Sequence, residues 1–349
     1  MPPQPRLLSL ATAVPAHRIR QDEIKAWAGR FFKDQGGAAV ERLLPAFDNA
    51  GIATRYSCVP LDWFDSDHGW EAKNRLYVDN ATDLLERAAR EALDRIALPA
   101  QAIDAVVTVS TSGIATPSLD ARLMGRLGLR PDVTRLPLFG LGCAGGVLGL
   151  ARAAELTAAR PGRHVLFLVV ELCGLTFRHA DRTKANIIAT ALFGDGAAAA
   201  VVGSTGDGPL LTGWGEHTWP DTLSVMGWTV EDDGLGVLFS QDIPALVRRE
   251  MRIATQAFLK ARDTTLEDME SFIVHPGGAK VIAALEESFG LAQGALVHAR
   301  GVLKDYGNMS AATVLFVLER TLAAGRPGRA LMSALGPGFT VGFVTLETP

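Results

Sequence analysis

A cysteine set between glycines is the residue of this sequence best suited to covalent chemistry. Cys143 lies in the segment LGCAGG at 141–146, ahead of an alanine-rich run at 148–159. Glycines between an apolar segment and a helical pattern predict a strand-end loop that enters a helix N-terminus. There the helix dipole and the free backbone N–H groups favour the thiolate, which is the nucleophilic form of cysteine. The sequence therefore predicts a reactive thiol at Cys143.

Two further polar residues follow in motifs of their own. His275 lies in VHPGG at 274–278, and Asn308 lies in YGNMS at 306–310. An imidazole accepts the proton of a thiol, and an amide N–H together with an imidazole N–H stabilises an enolate oxygen. Cysteine, histidine and asparagine thus supply the groups for acyl transfer. This chemistry requires no metal, and no cluster in the sequence has metal-ligand spacing.

Each of these residues also has a structural interpretation. A buried cysteine is commonly a small hydrophobic residue, and a histidine can simply end a strand. Asn308 after a glycine also suits a turn or a helix cap. Cys58 and Cys173 lack flanking glycines on both sides, and we expect both to be structural.

Composition excludes several classes of protein. The 349 residues are 48% hydrophobic and 21% charged, which is enough for two core-forming units. The formal net charge is -4 and the 34 basic residues are dispersed, so a nucleic-acid partner is not expected. Three cysteines without CxxC spacing predict neither a disulfide framework nor a zinc site, and fit a cytoplasmic location. No segment predicts a membrane span, and residues 7–14 resemble a first strand more than a signal peptide.

Helical and strand patterns alternate along the chain. Helices are predicted at 81–96, 146–159, 247–261 and 311–323, and buried strands at 105–109, 165–170, 271–274 and 330–333. This alternation predicts an α/β fold with a largely parallel sheet. Residues 31–77 interrupt the rhythm, and we expect them to form an irregular cap over an entrance.

The second part of the chain resembles the first. Cys143 and Asn308 are 165 positions apart, and the same 165 positions separate Ser110 from His275. An RPGR turn and a glycine-rich hairpin also recur in the same order. These features predict two similar βα halves, residues 1–205 and 206–349, whose equivalent helix N-termini converge on one site. The connection is expected at 204–215.

Five motifs carry a resemblance to a known family. They are LGCAGG (141–146), ALFGDGAA (191–198), HPGG (275–278), YGNMSA (306–311) and GPG (336–338). In this order they resemble the type III polyketide synthases, the chalcone and stilbene synthase family. The resemblance implies a thiolase-like fold with a layered α-β-α-β-α architecture, a homodimer, and acyl-CoA and malonyl-CoA as substrates without a separate cofactor. It also implies iterative decarboxylative condensation on a cysteine.

The resemblance assigns roles to individual residues. Cys143 becomes the nucleophile, His275 and Asn308 its partners, and Phe193 a gating residue. Substrate-binding positions are implied at Thr111, Ser112, Thr116, Val237, Ser310, Leu335 and Gly336. Positions that bind the CoA phosphates are implied at Arg42, Arg55 and Lys280.

Several of these positions carry smaller side chains than the plant members of the family. Leu335 and Val237 stand where phenylalanine is common, and Thr116 replaces a larger residue. A wider pocket favours an aliphatic starter and a pyrone or resorcinol product, as in bacterial alkylresorcinol and alkylpyrone synthases. Two alternatives stay open at this point: a thiolase-like synthase that performs a single condensation, and a non-catalytic thiolase-like subunit.

Overall fold

The computed structural model describes residues 4–33 and 40–348, and a bend at 204–209 divides its elements into two series. The first series comprises β1 (Arg6–Ala13), β2 (His17–Arg20), α1 (Gln21–Lys33), α2 (Pro45–Asp48), β3 (Thr54–Ser57), α3 (Trp70–Asp94), β4 (Ile103–Val109), α4 (Leu119–Leu127), β5 (Thr134–Leu138), α5 (Gly145–Ala159), β6 (His164–Leu172), α6 (Lys184–Leu192) and β7 (Asp195–Gly203). The second comprises β8 (Leu210–Thr218), β9 (Met226–Glu231), β10 (Gly234–Phe239), α7 (Ile243–Lys260), β11 (Ser271–Val274), α8 (Ala279–Phe289), α9 (Val297–Tyr306), α10 (Thr313–Ala323), β12 (Arg329–Gly336) and β13 (Thr340–Glu347).

Nine of these strands form one continuous sheet in the order β11-β12-β13-β8-β1-β7-β6-β4-β5. In the described residues, β1 and β8 meet through the single pair Arg6 and Leu210. The arrangement is therefore two sheets, of five and four strands, that touch at one point. The division at 205/206 remains a prediction.

The expectation of a largely parallel sheet is wrong. Only the pairs β4–β5, β4–β6 and β11–β12 are parallel in the described sheet, and the others are antiparallel. The reason is visible at β12 and β13, which are joined by residues 337–339 alone. A connection this short permits only antiparallel pairing, because a parallel crossover needs a dozen or more residues.

Helices and sheets alternate in five layers. On β6, Val165, Phe167 and Val169 pack into the core that contains α5, whereas the intervening residues pack into the core that contains α3. On β13, Gly342 lies against Leu148 of α5, and the adjacent Phe343 stacks on Phe258 of α7. Since neighbouring strand residues face opposite sides, each sheet has a helix layer on both faces. The expected layered α-β-α-β-α architecture is confirmed.

The helices α5 and α10 form the central layer and approach each other closely at their N-termini. A Cβ on Gly146 would stand 2.2 Å from Ala311 O and 2.7 Å from Val314 Cγ1. Both helices are apolar on nearly every face, as expected for helices buried between two sheets. Their close contact brings the segments before them, which contain Cys143 and Asn308, to the same place.

The sequence analysis places the start of the long helix too late. The helix predicted at 81–96 begins at Trp70, so that α3 and β3 give regular structure to part of the expected irregular cap at 31–77. Residues 34–39 of that segment lie outside the described residues. The first turns of α3 bury few side chains, among them Lys73, whose Nζ donates to Phe177 O at 2.8 Å. A buried lysine breaks the hydrophobic periodicity, and the pattern therefore conceals this part of the helix.

Candidate active site

Cys143 lies in a 3-10 turn, Gly142–Ala144, that leads directly into α5. Gly142 has φ +46°, and a Cβ there would stand 2.5 Å from Pro337 Cδ, so only glycine fits this position. The Sγ of Cys143 is 3.6 Å from the Oγ of Ser310. The thiol is thus at the N-terminal end of a buried helix, where the dipole favours negative charge.

His275 directly follows β11, and its main-chain N–H donates to Ser333 O at 2.9 Å. The side chain is 5% exposed, and neither Nδ1 nor Nε2 has a hydrogen-bond partner among the residues that the structure describes. Buried polar groups normally have partners, because an unmade hydrogen bond costs free energy. An imidazole kept in this condition is suited to exchange protons with a reacting group.

Asn308 lies between α9 and α10, after Gly307, which has φ +70°. Its Oδ1 accepts a hydrogen bond from Ser310 N at 2.8 Å, and its Nδ2 donates to Gly277 O at 3.2 Å. These bonds fix the orientation of the carboxamide. The amide nitrogen carries two hydrogens, so one N–H remains for a ligand after the bond to Gly277.

One cavity of about 740 Å³ contains the side chains of Cys143, His275 and Asn308 in its wall. The apolar part of this wall includes Ile188, Met226, Phe239, Met251, Leu285 and Leu335. No aspartate or glutamate is found among the described residues that line it. Because Cys143 precedes the bend at 204–209 and the other two follow it, the cavity joins groups from both series of elements.

Burial controls the protonation of the thiol and the imidazole. It raises the pKa of Cys143 to about 12, with a smaller contribution from the nearby charge of Glu171, while the bond to Ser310 acts in the opposite direction. Burial lowers the pKa of His275 to about 3. Both shifts favour a neutral thiol beside a neutral imidazole, and a neutral imidazole is the form that accepts a proton. Transfer of the thiol proton to the imidazole, which the sequence leads us to expect, remains a prediction.

Glu171, at the end of β6, is a buried carboxylate that the sequence analysis missed. It accepts hydrogen bonds from Thr111 N at 3.1 Å and Ser112 N at 2.9 Å, and Thr111 Oγ1 accepts one from Gly142 N at 3.2 Å. Burial raises the pKa of Glu171 to about 7. This network supports the turn that holds Cys143. The sequence signal that could have identified Glu171 is its position, as a single charged residue directly after the apolar run at 165–170.

Phe193 separates the main cavity from a second one of about 60 Å³. Phe193 lines the small cavity together with Cys173 and Val237. Its ring centroid lies 5.6 Å from that of Phe239, which lines the main cavity. The two cavities therefore adjoin at this aromatic pair.

The turn at 336–338 packs directly on the nucleophile turn. A Cβ on Gly336 would stand 2.5 Å from Leu141 O and 2.7 Å from Ala144 N. This close approach explains the glycine of the GPG motif by packing. Leu335, the residue before it, lines the main cavity.

Comparison with protein families agrees with this geometry. The family model for the N-terminal domain of chalcone and stilbene synthases matches residues 4–206, and the model for the C-terminal domain matches residues 215–348. The chain belongs to the chalcone and stilbene synthase family. It is a type III polyketide synthase, an acyltransferase of a family that uses CoA thioesters without a separate cofactor.

Similar proteins cover almost the entire synthase. A putative chalcone synthase of Bacillus subtilis is 39% identical over 96% of this chain and 96% of its own length. A 1,3,6,8-tetrahydroxynaphthalene synthase of Streptomyces peucetius is 37% identical over 96% of this chain and 91% of its own length. The crystal structure of the Streptomyces coelicolor tetrahydroxynaphthalene synthase superposes with a TM-score of 0.94 at 28% identity, over 98% of this chain and 99% of that one.

Five residues expected to bind substrate are not among the residues that line the two cavities of the synthase: Thr111, Ser112, Thr116, Ser310 and Gly336. Thr111 and Ser112 are buried beneath the nucleophile turn, where they bond to Gly142, Glu171 and Leu172. Thr116 is exposed on the loop after β4. The expected contact of these residues with substrate remains a prediction.

Arg55 does not have the position expected of a CoA ligand. It is 4% exposed, and its guanidinium donates to the carbonyl oxygens of Thr190, Ala191 and Phe193. Burial lowers its pKa to about 9. The expectation that Arg55 holds a CoA phosphate is wrong, because its N–H groups are directed into the protein.

Two exposed lysines stand at the edge of the main cavity of the synthase. Lys280 lies in the first turn of α8, and Lys184 is the first residue of α6. The expected contact of Lys280 with CoA remains a prediction. The sequence analysis missed Lys184, for which no local motif gave a signal. Arg42 is exposed but lies outside the cavity wall, so its expected role remains a prediction.

The described part of the synthase contains no group of three or more histidine, cysteine, aspartate or glutamate side chains arranged to hold a metal ion. Within the same ranges, no helix combines the length and the apolar character that a bilayer crossing requires.

Proposed function

We propose that this synthase loads an aliphatic acyl group from CoA onto Cys143, extends it repeatedly with malonyl-CoA, and cyclises the product to a pyrone or resorcinol. The observation that carries this proposal is the shared cavity of Cys143, His275 and Asn308. Its volume of about 740 Å³ exceeds that of the reacting atoms and leaves room for a growing chain.

Loading begins with proton transfer from the Cys143 thiol to the unpartnered ring of His275. The sulfur attacks the thioester carbonyl, the bond to the CoA sulfur breaks, and the proton on His275 passes to the departing CoA thiolate. The positive end of α5 stabilises the charge on Cys143 during attack. The acyl group is then carried on Cys143 as a thioester.

Extension begins when malonyl-CoA enters and loses carbon dioxide. The electron pair of the broken carbon–carbon bond forms an enolate, whose oxygen accepts hydrogen bonds from Asn308 Nδ2 and from a His275 N–H. The enolate carbon attacks the acyl carbonyl on Cys143, the carbon–sulfur bond breaks, and the lengthened chain remains on CoA. Transfer back to Cys143 permits another round.

The cavity mouth suits an anionic carrier. Lys184 and Lys280 belong to different helices, both stand at the mouth, and the described wall bears no carboxylate. Each lysine is also in the first turn of its helix, where anions are favoured. We assign these lysines to the phosphates of CoA.

The aliphatic starter is supported by small side chains around Phe193. Val237 and Cys173 line the small cavity behind that ring, and Leu335 lines the main one. Leu335 leaves apolar space in the cavity that contains the reacting sulfur. A second candidate, synthesis of 1,3,6,8-tetrahydroxynaphthalene, is favoured by the relatives that bear this name.

We also propose that two copies of the chain associate through the exposed end of β5. The strand pairs with β4 on one side only in the described sheet, and Phe139 just beyond it is 62% exposed. Ile114, on the loop after the neighbouring β4, is 48% exposed. A free strand edge beside apolar side chains favours association.

The test is incubation with malonyl-CoA, alone and together with acyl-CoAs of graded length, followed by measurement of CoA release and product mass. The proposal expects products that contain the starter and several added two-carbon units. A product formed from malonyl-CoA alone would favour the tetrahydroxynaphthalene candidate, and one added unit would favour a single-condensation synthase. No CoA release with any starter would contradict catalysis and favour a non-catalytic subunit.

A further inference from the structure

Arg55 is the most deeply buried arginine near the active site, and its contacts converge on one segment. From β3, its Nη1 donates to Thr190 O at 2.8 Å and to Phe193 O at 2.7 Å. Its Nη2 donates to Ala191 O at 2.7 Å and to the Oε1 of Gln21. Three of these four acceptors are main-chain carbonyls at the end of α6.

The end of a helix is a favourable place for a cation. The last carbonyls of α6 have no partner within the helix, and they carry the negative end of its dipole. A guanidinium presents several N–H groups in a fixed plane, so Arg55 bonds three of these carbonyls at once. The arginine thereby fixes the direction in which the chain leaves α6 at Leu192 and Phe193.

The same segment pairs with Asn308. The N–H of Asn308 donates to Leu192 O at 2.9 Å, and the N–H of Gly194 donates to Asn308 O at 3.0 Å. Arg55 also packs behind this pair: a Cβ on Gly194 would lie 3.3 Å from Arg55 Cβ, and one on Gly307 would lie 3.6 Å from it.

We propose that Arg55 is a positioning residue that holds Asn308 and Phe193 in register with Cys143. The path runs from the guanidinium to the carbonyls that end α6, and from there through two main-chain hydrogen bonds to Asn308. The inference rests on the proposed roles of Asn308 in decarboxylation and of Phe193 beside the acyl chain. In this proposal Arg55 does not contact the substrate and acts on the reaction through the backbone that it holds.

The proposal predicts that substitution of Arg55 affects decarboxylation and leaves loading unchanged. Loading requires Cys143 and His275, neither of which hydrogen-bonds to the segment that Arg55 holds. Decarboxylation requires Asn308, which that segment holds directly. A displaced Asn308 therefore slows decarboxylation without slowing attack by Cys143, and it leaves the binding of CoA unchanged.

The test compares Arg55→Met and Arg55→Lys with a matched control, Arg262→Met. Arg262 also donates to main-chain carbonyls, those of Phe258 in α7 and Trp214 in β8, but it does not line the main cavity. Decarboxylation of malonyl-CoA, KM for malonyl-CoA, and the rate of Cys143 alkylation by iodoacetamide are measured for each. Circular dichroism establishes that each variant is folded.

For Arg55→Met we expect kcat for decarboxylation to fall by about 10- to 100-fold, because a small misplacement near the chemistry has effects of this size. KM and the alkylation rate remain within about twofold of the parent protein on the same argument. Arg55→Lys retains the charge but fewer donors, and it restores part of kcat. Arg262→Met leaves all three quantities unchanged.

Three results would overturn the inference. They are a raised KM with unchanged kcat, an equal loss of kcat in Arg55→Met and Arg262→Met, or an unchanged kcat in Arg55→Met while Asn308→Ala is inactive. Full decarboxylation by Asn308→Ala would instead contradict the proposed function. If Arg55→Met does not fold, Gln21→Leu takes its place, since Gln21 bonds both Arg55 and Ala191 O, and the same criteria apply.

Discussion

At the scale of single residues, the site combines a thiol, an imidazole and a carboxamide whose supports differ. The sulfur of Cys143 has a hydroxyl, that of Ser310, within 3.6 Å. The carboxamide of Asn308 is held by two hydrogen bonds, whereas the ring of His275 has none. The residue assigned to move protons is therefore the one with the fewest fixed partners.

The proton-acceptor role of His275 is tested by His275→Ala. Burial holds the pKa of Cys143 at about 12, so the thiolate at pH 7 depends on a neighbouring proton acceptor. We expect the variant to be alkylated by iodoacetamide about 100-fold more slowly at pH 7, the size of a general-base effect. Because hydroxide replaces the missing base, the rate recovers as pH rises. An unchanged rate at pH 7 would contradict the assignment; Cys143→Ala serves as the control for labelling of Cys58 and Cys173.

The buried carboxyl of Glu171 predicts a pH-dependent stability. Its pKa is about 7 in the folded protein and 4.5 ordinarily, so between these values the folded state holds a proton that the unfolded chain has lost. The stabilising contribution is thus full below about pH 4.5 and is lost as pH rises through 7. As the pH rises from 4.5 to 8, the free energy of unfolding of Glu171→Gln increases by about 3 kcal/mol relative to that of the parent protein.

Urea unfolding of both proteins at pH 5 and pH 8 measures this difference. Other titrating groups, such as the buried Asp195, are common to both proteins and cancel in the comparison. The amide oxygen of the variant still accepts a bond from Thr111 or Ser112. If the free energies of unfolding of Glu171→Gln and of the parent protein differ by the same amount at both pH values, the raised pKa of Glu171 is contradicted.

At the scale of elements, the contact between α5 and α10 places the two parts of the site. The first residues of these helices approach so closely that Gly146 touches the backbone of Ala311. Each helix is preceded by a glycine in the left-handed region, Gly142 or Gly307, and then by a polar residue of the site. Helix packing and a local turn together set the distance between sulfur and carboxamide.

Gly146→Ala tests this contact. The added Cβ would meet Ala311 O at 2.2 Å, and because that atom belongs to the backbone, the helices must move apart. We expect a loss of about 3 kcal/mol in stability, typical of overpacking, together with loss of CoA release. The control is Gly125→Ala in α4, where nothing lies within 4 Å and a gain of about 0.5 kcal/mol is expected from helix propensity. Equal stability of the two variants by urea unfolding would contradict the argument.

The sequence predicts elements well where hydrophobic periodicity is unbroken, as for β11, α5 and α10. It predicts the residues of the site where each has its own motif, as for Cys143, His275 and Asn308. It does not predict that Arg55 and Thr111 are buried, because nothing local tells whether an arginine or a threonine lies inside the protein. It fails for the start of α3, where Lys73 is buried, and for strand direction, which depends on which strands become neighbours.

At the scale of the whole molecule, the two sheets touch at one strand pair and are held together mainly by the central helices. Residues of both series of elements line the main cavity. The loop after β5 leads through Phe139 into the turn of Cys143. Association at this edge would therefore act on the segment that carries the nucleophile.

The proposed dimer is tested by Phe139→Glu. The charge would be buried without a partner at the interface, so we expect the dimer of the parent protein to become a monomer in sedimentation experiments. Leu223→Glu is the control, since Leu223 is 81% exposed on a different loop and its substitution leaves the dimer intact. A monomeric parent protein, or a Phe139→Glu variant that stays dimeric, would contradict the proposal.

Within the described residues, the chain crosses from one sheet to the other at the bend of residues 204–209, between β7 and β8. A polypeptide divided there would leave the thiol on one fragment and the imidazole and carboxamide on the other. Neither fragment alone would possess the full set of reacting groups. Two fragments made separately on either side of this bend would form product only when they associate. Product formation would therefore measure their association, as in a complementation assay.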